Sequence, residues 1–282
     1  MIQPEALLQQ YFGHKAFRAG QKQAIDAILS GRDVLAVMPT GAGKSVCYQI
    51  SALLLPGVTI VISPLISLMK DQVEALRQVG IPAAYINSSI SQEEFYHSMQ
   101  MLQQGQCRIL YVAPERLMTE SLLRLAQRVQ ISMIAVDEAH CVSQWGQDFR
   151  QSYLDIPVFM EQLPVRPVCT AFTATATKQV EADIARILKL RDPETIHTGF
   201  DRKNLFFGVR RPNSKMTELF HLLKENDGKS GIVYCSTRKA VEEVCASLCD
   251  TGFDATRYHA GLSDVERAQN QDDFLYDRKP IM

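Results

Sequence analysis

Two hydrophobic rhythms alternate along the chain. Short, almost wholly apolar runs at residues 34–38, 58–63, 83–86, 109–112, 133–136 and 168–172 are separated by longer stretches in which apolar residues recur every three or four positions. The short runs predict strands, and their lack of in–out alternation predicts strands covered on both faces. The longer stretches predict amphipathic helices. Strand and helix alternating in this way is the pattern of βαβ crossovers, so the expected class is α/β with a parallel central sheet.

A polar break interrupts the pattern between Leu190 and Asn204, where Arg191-Asp192-Pro193 is followed by Phe200-Asp201-Arg202-Lys203-Asn204. A domain boundary is expected there, giving a first domain over residues 1–200 and a second over 201–282. A chain of 282 residues also exceeds the size at which one core usually keeps growing. Beyond the break the alternation restarts, with strands expected at 205–209, 231–235 and 255–258 and helices at 215–225, 239–251 and 264–274. Pro280-Ile281-Met282 reads as the start of another strand, so the second domain is expected to be incomplete.

Composition narrows the picture without deciding it. Hydrophobic residues at 46% and charged residues at 22% describe a chain that folds. A net charge of −1 gives no global signature of a nucleic-acid binder, so any such contact must come from local patches. Seven cysteines without a C-x-x-C pair fit reduced thiols in a cytoplasmic compartment rather than a disulfide frame or zinc site. The six histidines show no ligand spacing. The longest apolar run, residues 52–62, is broken by Pro56-Gly57, and neither a membrane span nor a signal peptide is expected.

Candidate chemistry begins at Thr40-Gly41-Ala42-Gly43-Lys44-Ser45, which follows a predicted strand and opens a predicted helix. Backbone N–H groups and a helix N-terminus then surround a phosphate, Lys44 reaches its outer oxygens and Ser45 holds Mg²⁺. The strict fingerprint has glycine at position 38, where this chain has Met38. The strand ending at Val136 delivers Asp137-Glu138-Ala139-His140 at the edge where parallel sheets bind ligands. Asp137 suits a magnesium contact, Glu138 suits orienting the attacking water, and His140 completes the candidate catalytic set with Lys44.

These residues resemble superfamily 2 helicases, and more closely the RecQ family of DNA helicases, along nearly the whole chain. Phe17-Arg18-Ala19-Gly20-Gln21 is similar to that family's adenine-recognition segment, implying that Arg18 and Gln21 contact the base of ATP, with His14 where an aromatic often stacks. Ser63-Pro64-Leu65-Ile66, Asn87-Ser88-Ser89 and Ala113-Pro114-Glu115-Arg116 resemble segments that touch the nucleic-acid backbone, with Ser63, Asn87, Glu115 and Arg116 as the implied contacts. Pro64 and Pro114 are also expected to start helices at their first position.

The stretch Cys141-Val142-Ser143-Gln144-Trp145-Gly146-Gln147-Asp148-Phe149-Arg150 resembles the aromatic-rich loop of RecQ helicases. It implies contact of Trp145, Phe149 and Arg150 with an unpaired strand, while the four-residue spacing of Trp145 and Phe149 equally suits a core stripe. Thr173-Ala174-Thr175 looks like the motif that links hydrolysis to movement. Beyond the break, Phe200-Asp201-Arg202, Asn204-Leu205, the run ending at Arg238 and Tyr258-His259-Ala260-Gly261 match the same family, adding Arg238 and His259 as candidate contacts.

The resemblance implies tandem RecA-like P-loop domains, ATP with Mg²⁺, and single-stranded and duplex DNA as partners for a 3′–5′ helicase. It also implies that the arginine completing the site lies past Met282, so slow hydrolysis by this chain is expected. An RNA-remodelling helicase and a non-catalytic nucleotide-binding module are the competing readings.

Overall fold

The computed structural model describes residues 3–88, 90–146, 148–199 and 205–282, and the chain separates into two compact units, Met1–Arg202 and Lys203–Met282. The family matches at residues 200–202 and Asn204, and the individual residues Ser89 and Gln147, lie outside the described residues.

The first unit is built on seven parallel strands: β1 (Val34–Val37), β2 (Val58–Ile62), β3 (Ala83–Ile86), β4 (Ile109–Val112), β5 (Ile131–Val136), β6 (Val168–Thr173) and β7 (Glu194–His197). Their order across the sheet is β3-β4-β2-β5-β6-β1-β7. Helices α1 (Pro4–Phe12), α2 (Gln21–Leu29), α3 (Lys44–Leu54), α4 (Ile66–Gln78), α5 (Gln92–Gln103), α6 (Glu120–Ala126), α7 (Asp155–Glu161) and α8 (Lys178–Ile187) cover it. Alternate strand residues enter two cores. Val34, Ala36, Val61, Met133 and Ala135 pack with α1 to α4, whereas Leu35, Ile60, Ile62, Ile134 and Val136 pack with α5 to α8. Both faces are therefore dry, which is why the strand runs carry no polar alternation.

Local sequence sets several boundaries. Ser91 and Glu94 form a reciprocal capping box at the start of α5, with Glu94 N donating to Ser91 Oγ at 3.2 Å and Ser91 N to Glu94 Oε2 at 2.8 Å. Thr177 caps α8. Pro114 opens a 3₁₀ turn as expected, but α4 begins at Ile66 behind Leu65, so Pro64 stands before the helix rather than in it.

At the amino-terminal edge, buried Asp33 binds four donors at once. Arg166 reaches it through two nitrogens at 3.1 and 2.6 Å, Cys169 N at 2.9 Å and Arg191 N at 2.7 Å. This carboxylate ties β1 to β6 and to the segment leading into β7.

Strand β7 lies within the polar stretch of residues 190–204, where no strand was expected. It pairs with β1 in register Val34↔Glu194 to Val37↔His197 and belongs to the first unit. Only Ile196 of its four residues is buried, because β7 is the sheet edge, so an apolar run was never required.

The second unit holds α9 (Lys215–Glu225), α10 (Arg238–Asp250) and α11 (Asp264–Leu275), capped by Ser214, Thr237 and Ser263. Its three expected strands are not formed as such. Residues 205–209 carry no strand, and Gly231 and Ala255 each make a single parallel bridge to Ile281. Met282 N donates to Gly231 O at 2.9 Å and Thr256 N to Ile281 O at 2.8 Å, so the 280–282 segment lies hydrogen-bonded between the other two. A strand needs a longer ladder than one residue on each side. The buried core of this unit is correspondingly small: Leu248, Ala255 and Ile281.

A candidate nucleotide site at the carboxyl edge of the sheet

The sheet order lines the candidate residues along one edge. Asn87 follows β3, Glu115 and Arg116 follow β4, Ser63 follows β2, Asp137 and Glu138 follow β5, Thr173 ends β6, and the glycine loop follows β1. The candidate strand contacts thus occupy one half of the carboxyl edge and the phosphate loop the other, with the two carboxylates between them. Ligands of open α/β sheets bind at this edge.

Residues 38–43 turn from β1 into α3. Gly41 and Gly43 take positive φ values of 81° and 80°, which a side chain resists, and a Cβ on Gly43 would overlap the Gln21 amide. The loop then presents its N–H groups at the start of α3. Three side chains hold its carbonyls. Gln21 Nε2 donates to Ala42 O at 3.0 Å and Gly43 O at 3.1 Å, and Arg18 donates to Gly41 O. Lys44 Nζ donates to Met38 O at 3.2 Å. Arg18 N completes the arrangement by donating to Gln21 Oε1 at 2.8 Å.

Gln21 is buried, and its amide is wholly engaged with the loop and with Arg18. The structure thus brings Arg18, Gln21, Thr40, Gly41, Ala42, Gly43, Lys44 and Ser45 together. His14 is exposed on the turn after α1.

Asp137 continues β5, with its N–H donating to Ile62 O at 2.8 Å and its carbonyl accepting from Tyr153 Oη at 2.9 Å. The side chain is buried, and burial together with the neighbouring Glu138 charge pushes its carboxyl up to about 6, against the opposing pull of Lys44. An ionised carboxylate here calls for a cation. Glu138 adopts φ 45° and ψ 47°, a left-handed conformation uncommon for any residue other than glycine and clustered at functional sites. The hydrogen bond from His140 keeps the Glu138 carboxyl below its ordinary range despite burial.

His140 Nδ1 lies 3.3 Å from Glu138 Oε2 and 2.9 Å from Thr173 Oγ1. Hydrogen bonds to Cys141 and Glu138 push the imidazole up to about 10. The turn after β5 is thereby joined to the end of β6.

The loop that follows is anchored at both ends. Ser143 Oγ donates to Asp183 Oδ2 at 2.8 Å and accepts from Trp145 N at 3.2 Å. Arg150 N donates to Cys141 O at 2.9 Å, while its guanidinium donates to Asp148 Oδ2 and, at 3.0 Å, to Pro64 O. Trp145 is 75% exposed and Phe149 37%, which disposes of the core-stripe alternative. Arg150 ties this loop to the segment after Ser63.

Of the other candidates, Ser63 and Asn87 are buried and Glu115 is exposed. The Arg116 guanidinium sits 5.9 Å from the Phe95 ring centre. Among the described residues Ser63 Oγ is a buried hydroxyl without a partner, available to a ligand. In the second unit, Arg238 is exposed at the first turn of α10. His259 Nδ1 accepts from Gly261 N at 3.1 Å, so Nε2 carries the proton and donates to Glu242 Oε1 at 2.7 Å. Tyr153 and Asp183 were missed by sequence reading, since each acts through a partner remote in sequence.

The chain is 45% identical over 279 residues to the ATP-dependent DNA helicase RecQ of Bacillus subtilis, covering 99% of this chain and 47% of that protein. It is 43% identical over 277 residues to RecQ of Haemophilus influenzae, covering 98% of this chain and 45% of that protein. It spans about half the length of these curated relatives. The fold is similar to S. cerevisiae Dbp5 bound to RNA and ADP BeF3, with TM-score 0.70, 18% identity and coverage of 100% and 73% of the two chains. The DEAD-box helicase Mss116 bound to ssRNA and UDP-BeF gives TM-score 0.70 at 16% identity, covering 100% and 65%. These likenesses establish a RecA-like architecture for the seven-stranded sheet. The sequence pattern of the DEAD/DEAH box helicases matches residues 18–183, from the arginine that holds the phosphate loop to the aspartate that anchors the Trp145 loop, and the chain belongs to that family.

Proposed function

We propose that the chain is the ATP-hydrolysing part of a 3′–5′ DNA helicase of the RecQ type. The observation that carries this reading is the shared carboxyl edge, on which the phosphate loop and candidate strand contacts flank Asp137 and Glu138, while His140 ties the acidic turn to Thr173 at the end of β6 and Arg150 ties the Trp145 loop to the segment after Ser63.

The loop N–H groups and the α3 N-terminus bind the phosphates of ATP. Lys44 exchanges the Met38 carbonyl for a phosphate oxygen, a charged acceptor in place of a neutral one. Gln21 and Arg18 reach the adenine by giving up loop carbonyls, so base recognition and loop shape depend on each other.

Mg²⁺ fits the donor set. Ser45 stands at the loop's exit, and buried Asp137 has its charge opposed by burial and by Glu138. Ser45 and Asp137 would hold the ion, which when bound neutralises charge on the transferring phosphoryl group. Glu138 orients the attacking water and accepts its proton, while His140 fixes that carboxylate in place. Thr173 and the Trp145 loop receive the change in charge at Glu138 through His140 and the turn behind it.

Seven free thiols, four of them buried, suit a reducing compartment such as the cytoplasm. Among the described residues no helix is long and apolar enough to cross a membrane.

ATP turnover by the chain, with single-stranded DNA, single-stranded RNA or neither, tests the reading. Stimulation by DNA above RNA, abolished in Lys44→Ala, is expected. Equal stimulation by both moves the chain to RNA remodelling, and turnover unaffected by Lys44→Ala refutes the site.

A further inference from the structure

Asp183 is an acidic residue 7% exposed on α8, and a buried carboxylate must find partners. It has two. Ser143 Oγ donates to Oδ2 at 2.8 Å and Arg186 donates to Oδ1 at 2.8 Å. The two donors hold the carboxyl below its ordinary range, Arg186 contributing most.

Ser143 passes this contact on. Its side chain is wholly buried, and its hydroxyl proton is committed to Asp183, which leaves the oxygen lone pairs for the Trp145 N–H at 3.2 Å. Gly146 N donates to Ser143 O at 2.9 Å, and a Cβ on Gly146 would collide with the His140 carbonyl. The Trp145 turn is therefore pinned by Ser143 on one side and pressed against the catalytic turn on the other.

The outer end of this chain of contacts is open to solvent. The Arg186 side chain is 71% exposed and, with Gln179, Trp145 and Phe149, lines a groove of about 360 Å³ between the loop and α8. Exposed ion pairs are weak, so a phosphate competes readily for the guanidinium and offers it bidentate geometry.

We propose that Asp183 is a positioning residue for strand binding, which sets the Trp145 loop through Ser143, and that Arg186 adjusts this setting by pairing either with Asp183 or with a phosphate of a strand lying in the groove. The proposal rests on the reading of Trp145 as a contact for an unpaired base. It adds the residue that holds the contact and the cation that ties it to the backbone of the strand.

Trp145 is the chain's only tryptophan, so its emission reports on this loop without a label. The experiment compares the chain with Asp183→Asn, Ser143→Ala, their double variant and Arg186→Gln. It records nanosecond anisotropy of Trp145 without DNA and its emission during titration with a single-stranded oligodeoxynucleotide. Unfolding midpoints verify that each variant is folded.

Asp183→Asn and Ser143→Ala are each expected to raise Trp145 mobility and to weaken oligonucleotide binding by about tenfold, comparable to losing one base stack. The double variant should be no worse than either single one, because both break the same path. Arg186→Gln, a surface change that keeps Asp183, should lower the slope of log affinity against log salt by about 0.7, the value for one phosphate contact on a single strand. Where Asp183→Asn fails to fold, this slope still decides. Wild-type mobility and affinity in Asp183→Asn, additive defects, or an unchanged slope in Arg186→Gln would overturn the proposal while leaving Trp145 as a strand contact. Emission indifferent to DNA in the unaltered chain overturns that contact and the proposal with it.

Discussion

His140 Nδ1 donates to Thr173 Oγ1 at 2.9 Å, and the direction of this bond follows from its neighbours. Thr173 Oγ1 gives its own proton to Thr175 O at 3.0 Å and so can only accept from the imidazole. The Glu138 carboxylate shares the same Nδ1 at 3.3 Å. The end of β6 and the carboxylate proposed to orient water therefore compete for one N–H. Thr173→Val leaves that N–H wholly to Glu138. The expected outcome is ATP affinity within about twofold of the unaltered chain and turnover lowered about tenfold, the scale of one hydrogen bond gained or lost at the reacting group. Steady-state kinetics separate the two effects.

The same imidazole makes stability depend on pH in a defined direction. Hydrogen bonds to Cys141 and Glu138 push it up to about 10, above its ordinary value of 6.5. A raised histidine contributes stability that is complete below its unfolded value and disappears as pH rises through the folded one. The unfolding-temperature difference between the chain and His140→Gln is expected to be largest below about pH 6.5 and to shrink steadily as pH rises toward about 10. A difference that widens with rising pH contradicts this.

Gly43→Ala tests the loop geometry. The residue has φ 80°, and an added methyl meets the Gln21 amide that donates to Ala42 O and Gly43 O. Left-handed backbone costs a non-glycine residue about 1–2 kcal/mol, and displacement of Gln21 adds to it. ATP binding followed by a fluorescent analogue should weaken by at least about tenfold, which is the equivalent of 1.4 kcal/mol.

Asp33→Ala addresses the fold rather than the site. It removes a buried carboxylate that pairs with Arg166 and accepts from two backbone N–H groups, leaving those donors unsatisfied. Breaking such a pair from one side costs about 3–5 kcal/mol. Urea unfolding should show a loss on that scale, whereas Arg32→Ala, whose partners Asp192 and Glu194 lie at the surface edge, should cost under about 1 kcal/mol.

Six of the seven strands of the first unit, the five inner ones and β3 at one edge, were legible because burial on both faces leaves an unmistakable apolar run. β7 was not, since an edge strand with Ile196 as its sole buried residue reads as polar sequence. The reverse error arose at residues 205–209, 231–235 and 255–258, where strand-like composition exists without a ladder beside it. Lys44, Ser45, Asp137 and Glu138 were readable from local spacing at the ends of strands. The partners that give them their properties were not. Tyr153 on the Asp137 carbonyl and Asp183 on Ser143 are meetings of segments that no spacing along the chain records. Periodicity also left Trp145 undecided between core and surface, and only its exposure resolves the question.

The central claim is that Lys44 and the carbonyl-held loop around it form the ATP site. Titration of Mg-ATP into the chain and into Lys44→Ala, followed by calorimetry, tests this most directly. The account predicts one ATP bound per chain, with affinity at least about tenfold weaker in Lys44→Ala because a charge-assisted phosphate contact is lost. Equal affinity in the two proteins would place the nucleotide elsewhere and contradict the account.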